Sequence, residues 1–183
     1  MNRCVGKKIR SFAMLSLVLG LAGCATEERP AAPARVTQPP SAAPVGAAAS
    51  AADFVAANGS IDLFVIRSSE LALQRSSSPR VRDFATRMIE GHKGTSAQLS
   101  LAGRRLNLLP SASLRPGHQA MFDALASSAS FEADYVRDQR LVHQDAITLD
   151  SAFAASGGSP TLRPVAAAAL QIEQRHLKLL AYL

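Results

Sequence analysis

The sequence predicts an all-α fold, an antiparallel four-helix bundle behind an export signal and a linker. Three observations carry that prediction. Apolar residues recur at three- and four-residue spacing from about residue 51 onward, with no convincing strand alternation. Serine–proline and glycine–proline breaks, Ser76-Ser77-Ser78-Pro79 and Gly157-Gly158-Ser159-Pro160, punctuate the helical stretches. The long segments each carry one apolar stripe, and packing four stripes together is the cheapest way to bury them.

The first helix is expected from about Ala52 to Arg75. Ser50 and Asp53 stand three apart at its start, a capping box with Asp in the usual Glu place. Its inward stripe is Phe54, Ile61, Val65, Ser68 and Ala72. Ser78 is a good N-cap for the second helix, and Pro79 sits where a missing N–H costs nothing. That helix runs to about Leu106, with Val81, Phe84, Ala85, Met88, His92, Ser96 and Leu99 inward and Asn107 as its stop. Leu109-Pro110 opens a long connection holding a short helix, about Gly117 to Ala126. The third long helix spans about Phe131 to Ala155, burying Phe131, Tyr135, Val142, Ala146, Leu149 and Phe153. The fourth runs from Thr161 nearly to Leu183, on a stripe of Leu162, Val165, Ala169, Ile172, His176, Leu179 and Leu183. The long link joins the second and third long helices, the place of the crossover in ferritin-like bundles, so a ferritin-like topology is expected.

Residues 1–23 read as an export signal. Arg3, Lys7, Lys8 and Arg10 precede an apolar run from Phe12 to Leu21, too short to span a bilayer. Leu21-Ala22-Gly23-Cys24 resembles the lipobox of bacterial lipoproteins. That resemblance implies cleavage before Cys24, lipidation of its thiol with diacylglycerol and palmitate-type acyl chains, and stable membrane anchoring. Ala25, rather than Asp, after the cysteine implies the periplasmic face of the outer membrane. Cys4 leaves with the signal, so a disulfide framework is excluded. Residues 24–50 are rich in proline and alanine and read as a disordered tether; 51–183 read as one domain.

The formal charge of +6 overstates the basic character. Four of twenty basic residues leave with the signal, so sixteen remain against fourteen acidic residues, a balance of +2. Arg80, Arg82 and Arg87 alternate with Asp83 and Glu90 as a solvated face. A nucleic-acid partner is therefore not expected. Serines cluster at helix ends, no glycine-rich phosphate loop is present, and nothing marks an enzyme.

His92, His143 and His176 each fall near the middle of a long helix, where antiparallel helices meet at one level; His118 lies in the connection and is expected to be exposed. Asp62, Glu90, Glu132, Asp138 and Glu173 are carboxylates within range. Glu173-Gln174-Arg175-His176 places two potential ligands three apart on one helix face. The matching positions before the other two histidines are Ile89 and Arg140, so a complete di-iron site is absent by count. Two readings follow. Buried histidines can be structural, neutral and hydrogen-bonded, with no cofactor. Alternatively Asp62, His92, His143, Glu173 and His176 form a polar or metal cluster for iron, zinc or copper, in a metal-handling or redox ferritin-like bundle. The sequence favours the first: a non-catalytic binding or envelope-support module, with an envelope protein or small ligand as partner.

Several spacings together resemble the bacterial exported family called domain of unknown function 4142. They are Phe54-Val55-Ala56-Ala57 with Gly59 and Asp62, Val81-x-x-Phe84-Ala85-x-x-Met88-Ile89 before His92, Phe131-Glu132-x-x-Tyr135, His143, and His176-Leu177. The resemblance implies a ferritin-like bundle in an outer-membrane setting and no settled activity. The family usually has Glu where Asp62 stands, and commonly Asp-His in both middle helices. Here Gly91 and Val142 take the places of those aspartates, which removes potential ligands or supporting groups.

Overall fold

The computed structural model describes residues 50–183. The signal, Cys24 and nearly all of the tether lie outside the described residues.

Five α-helices follow one another: α1 Ala51–Arg75, α2 Pro79–Arg104, α3 Pro116–Ser127, α4 Phe131–Ser156 and α5 Arg163–Leu179, closed by a 3-10 turn over Leu180–Tyr182. The described residues contain no strand. The expected caps are present. Ser50 Oγ accepts from the Asp53 N–H at 3.1 Å and donates to its carboxylate at 2.7 Å. Ser78 Oγ accepts from the Val81 N–H, with Pro79 in the first turn of α2. Asn107 adopts a left-handed φ of 56°, and the Leu108 N–H closes back on the Gly103 carbonyl at 2.9 Å.

Cross-helix pairs fix the directions. Asn58 meets Asp150, and Ser69 meets Tyr135, so α1 and α4 run opposite ways. Arg80 and Phe84 lie beside Tyr182 and Leu179, whereas Ala102 lies beside Val165, so α2 and α5 also oppose. With α1–α2 and α4–α5 as hairpins, α2 and α4 run the same way. The chain between them must travel back along the bundle, as a ferritin-like crossover does. It carries α3, which packs on α1 and α4. Arg75 ties it down through the Leu125, Ala126 and Ser128 carbonyls. The connection also presses on α1 at Gly59, where a Cβ would stand 2.6 Å from Pro110 Cβ.

Two apolar cores flank a polar waist. One holds Phe64, Val65, Phe84, Met88, Phe131 and Tyr135. The other holds Phe54, Leu99, Phe153, Leu162 and Ala166. Phe54 and Phe153 stack at 3.9 Å between centroids.

The α5 phase differs from the expected stripe. Leu162, Ala166, Ala169, Glu173, His176 and Leu180 face inward; Val165 and Ile172 are half-buried, and Leu179 and Leu183 are each 37% exposed. The two stripes share Leu162, Ala169 and His176. The inward one turns on Glu173, a carboxyl group that apolar periodicity counts as an outside residue. Thr95, rather than Ser96, is the buried polar residue beside His92, and Leu149 is half-buried beside the buried Asp150. His118 is half-buried rather than exposed. Its Nδ1 lies 2.8 Å from Ser60 Oγ, which also accepts from the Arg115 N–H and so anchors the start of α3.

Candidate metal centre

Three of the four bundle helices place one ligand type each at the waist, and α5 adds a second. His92 comes from α2, His143 from α4, and Glu173 and His176 from one face of α5. One potential ligand atom from each of the four lies within 4.8 Å of all the others. His92 and His143 are fully buried and Glu173 is 1% exposed; His176 is 8% exposed. His143, which flanks its apolar stripe in the sequence, therefore points fully inward.

The outer ring nitrogens are engaged. His143 Nδ1–H donates to the Gln139 carbonyl at 2.7 Å, one turn back on α4. His92 Nδ1–H donates to Asp62 Oδ1 at 2.9 Å, and the same oxygen accepts from Thr95 Oγ1 at 2.7 Å. In the tautomers that make these bonds, both Nε2 lone pairs face the centre, where the two atoms stand 3.4 Å apart. Glu173 Oε2 lies 3.7 Å from one and 3.6 Å from the other. Glu173 Oε2 and His176 Nδ1 are buried without any hydrogen-bond partner.

These spacings suit a metal ion. Around a tetrahedral ion with ~2.0–2.1 Å bonds, neighbouring donor atoms sit roughly 3.4 Å apart. The three separations among His92, His143 and Glu173 match that edge to within a few tenths of an ångström, and His176 lies within 4.8 Å of all three. Bonding of an outer imidazole nitrogen to a carboxylate or carbonyl is also how metal-ligating histidines are oriented.

Electrostatics follow from the dry setting between two apolar cores. Burial pushes His92, His143 and His176 down to about 3, so all three are neutral lone-pair donors at pH 7. Burial, reinforced by Asp62 and Asp150, pushes Glu173 up to about 9. Burial raises Asp62 to about 7 against the Thr95 hydrogen bond, and Asp150 to about 7 against that of Asn58.

Of the five sequence candidates, four share the centre and Asp62 supports His92 from behind. The other carboxylates do not join it. Glu90 is exposed. Glu132 accepts from Ser76 Oγ and the Ser78 N–H at the α1–α2 turn, and Asp138 pairs with Arg137. Sequence reasoning missed Thr95, and the Asn58–Asp150 pair at 2.5 Å. Asn58 precedes Asp62 by one turn and Asp150 follows His143 by two, so helical spacing was the available signal.

The sequence profile described as "Domain of unknown function (DUF4142)" matches residues 36–183. The chain belongs to this family. No curated protein matches it. Among solved structures, the DUF4142 chain is similar to CopM in its Cu(II)-bound form, with a TM-score of 0.62 and 18% identity over 74% of this chain and 96% of that one. CopM in its Ag-bound form gives 0.60 and 16%, over 73% and 94%. A DUF305 fragment from Deinococcus radiodurans gives 0.62 and 15%, over 72% and 93%. At these identities the likeness is one of fold. No helix among the described residues is long and apolar enough to cross a membrane.

Gly91 has a steric reason in this DUF4142 member. A Cβ there would stand 2.5 Å from His176 Cε1 and 2.8 Å from Nε2. With the His176 ring where it lies, no side chain fits at position 91.

Proposed function

We propose that this protein is a metal-binding bundle of the bacterial envelope that holds one transition-metal ion between His92, His143, Glu173 and His176. The observation that carries the reading is the convergence of one potential ligand atom from each of four buried residues: the Nε2 atoms of His92 and His143 stand 3.4 Å apart, and Glu173 Oε2 and His176 Nδ1 are buried without a hydrogen-bond partner. Three neutral imidazoles and one carboxylate suit Cu(II) and Zn(II), with Cu(II) the tighter in the divalent series. The fold likeness to CopM, whose solved forms carry Cu(II), Cu(I) and Ag, supports copper as the first ion to try. Asp62, Thr95 and the Gln139 carbonyl orient the rings. Nothing in the site supplies a nucleophile or substrate pocket, so the role is binding, buffering or delivery of the ion. The lipobox at Cys24 and the proline-rich tether support display of this domain at the periplasmic face of the outer membrane.

The test is metal analysis of protein purified without a histidine tag. Stoichiometric copper or zinc is expected, lost in the His92→Ala, His176→Ala double variant. Binding below one ion per chain, or binding that survives the double variant, overturns the centre.

A further inference from the structure

We propose that the ion enters and leaves across the α2–α5 seam, through a window that Gly91 keeps open, with His176 as its gate. This inference rests on the metal-centre reading.

Three sides of the waist are closed by named contacts. Between α1 and α2, Asp62 bridges His92 and Thr95. Between α1 and α4, Ser68 is bonded to Gln139 and Asn58 to Asp150, and α3 packs across both helices from outside. Between α4 and α5, the two helices of the hairpin pack directly on each other, and its turn is held by Arg163 Nε on the Gly157 carbonyl at 2.7 Å.

The α2–α5 side differs. No described element covers it. It is grooved above and below the waist, at Arg80–Arg87 beside Leu179–Leu183 and at Gln98–Arg105 beside Thr161–Val165. Between those grooves, at the level of the ligands, α2 presents Gly91 and no side chain. The Cε1–Nε2 edge of His176 lies in the space a Cβ would fill. His176 is also the most exposed of the four ligands, and its Nδ1 is the buried, unpartnered nitrogen. The ring thus runs from the seam to the centre. Cε1 and Nε2 lie nearest the glycine, Nδ1 stands 3.8 Å from the same point and is buried, and no hydrogen bond among the described residues holds the ring shut. A rotation about its side-chain bonds opens a route without parting the helices.

Gly94, on the same helix, supplies a matched control, because a Cβ there meets nothing within 4 Å. The experiment uses the full chain and stopped-flow loading of Cu(II) from a weak chelate, with release to excess strong chelator. Gly91→Ala is expected to slow loading tenfold or more and to weaken binding, and Gly94→Ala to change neither. His176→Ala, which removes the gate, is expected to speed both loading and release while weakening affinity. Circular dichroism melts establish that each variant is folded. Diethyl pyrocarbonate labelling of metal-free wild type gives a readout independent of any ion: His176 should react well before His92 and His143. Loading and release within twofold of wild type in both Gly91→Ala and His176→Ala overturn the route while leaving the centre intact. Labelling of His92 or His143 as fast as His176 does the same. A wild-type chain that takes up no Cu(II) overturns the centre and the route together.

Discussion

Replacing Glu173 with glutamine should stabilise the metal-free protein and abolish much of what metal adds. Burial holds the Glu173 carboxyl at about 9 against an ordinary 4.5, so in the folded, metal-free chain it is a neutral acid at pH 7. Unfolding releases it to ionise, which favours the unfolded state at every pH above ~4.5. At pH 7 that linkage amounts to at most about 3 kcal/mol, from ~2.5 pH units at 1.36 kcal/mol each. Glutamine copies the shape of the neutral acid and does not titrate. The metal-free variant should match wild type near pH 4 and exceed it by up to ~3 kcal/mol at pH 7, or roughly 10 °C in melting temperature for a domain of this size. Wild type with free metal at a hundred times Kd should gain ~2.7 kcal/mol by mass action, and the variant far less, because it has lost the one anionic ligand. Thermal melts at pH 4 and 7, with chelator and with Cu(II) or Zn(II), read both effects. A variant that is less stable than wild type at pH 7 and keeps its full metal shift would refute the reasoning, since Glu173 would then be a packing group and not a ligand.

The pH profile of the chelated protein follows from six shifted groups. The three imidazoles, held down to about 3, contribute stability that is present above ~6.5 and lost as pH falls through 3. Asp62 and Asp150, held up to about 7, and Glu173, held up to about 9, contribute stability that is present below ~4 and lost as pH rises through those values. The opposed slopes cancel from about pH 4.5 to 6.5, so melting temperature should be level there and fall on both sides; a rise from pH 7 to 9 contradicts this. Met88→Asp should unfold the bundle by burying an unpaired charge, whereas Arg82→Asp should lower stability by only about 1 kcal/mol, since Arg82 is exposed but donates to the Leu73 and Ser76 carbonyls at the end of α1. Chemical denaturation separates the two, and equal tolerance refutes the helix phase. Cys24→Ala should leave the chain unprocessed or release it from the membrane fraction; unchanged fractionation and gel migration would remove the lipid anchor.

The helices were legible because their ends carry chemistry that acts over three or four residues. Ser50 with Asp53, Ser78 with Pro79, and Asn107 are local signals, and the structure uses them as local rules predict. The α5 phase was harder because it is a tertiary choice. Both candidate stripes run through Leu162, Ala169 and His176, and only the neighbouring helices decide between Ile172 and Glu173. Glu173 was nonetheless readable as a ligand type, because Glu-x-x-His spacing shares a face whichever stripe is buried. Gln139 was invisible for a different reason: its backbone carbonyl, not its side chain, holds His143, and a carbonyl leaves no mark on residue identity. Gly91 looked like a loss when judged by which ligands were missing. Its meaning lies in the space it leaves for His176, and a linear sequence does not display space.

The decision between histidines kept for packing and histidines kept for a ligand turns on which side of each ring is satisfied. Buried polar groups in folded proteins are hydrogen-bonded, and a bare one costs about 1–3 kcal/mol. A packing role gives no reason to distinguish the two edges of an imidazole. Here the distinction is systematic. The outer nitrogens of His92 and His143 have a carboxylate and a carbonyl, while the inner ones face each other, Glu173 Oε2 and the bare Nδ1 of His176. Apolar side chains of similar volume would fill the same waist without that penalty and would make it at least as stable. A bundle that keeps three imidazoles and a carboxyl group converging instead is less stable empty than it could be, by an amount a bound cation can return, because one ion can take all four groups as ligands once Glu173 gives up its proton.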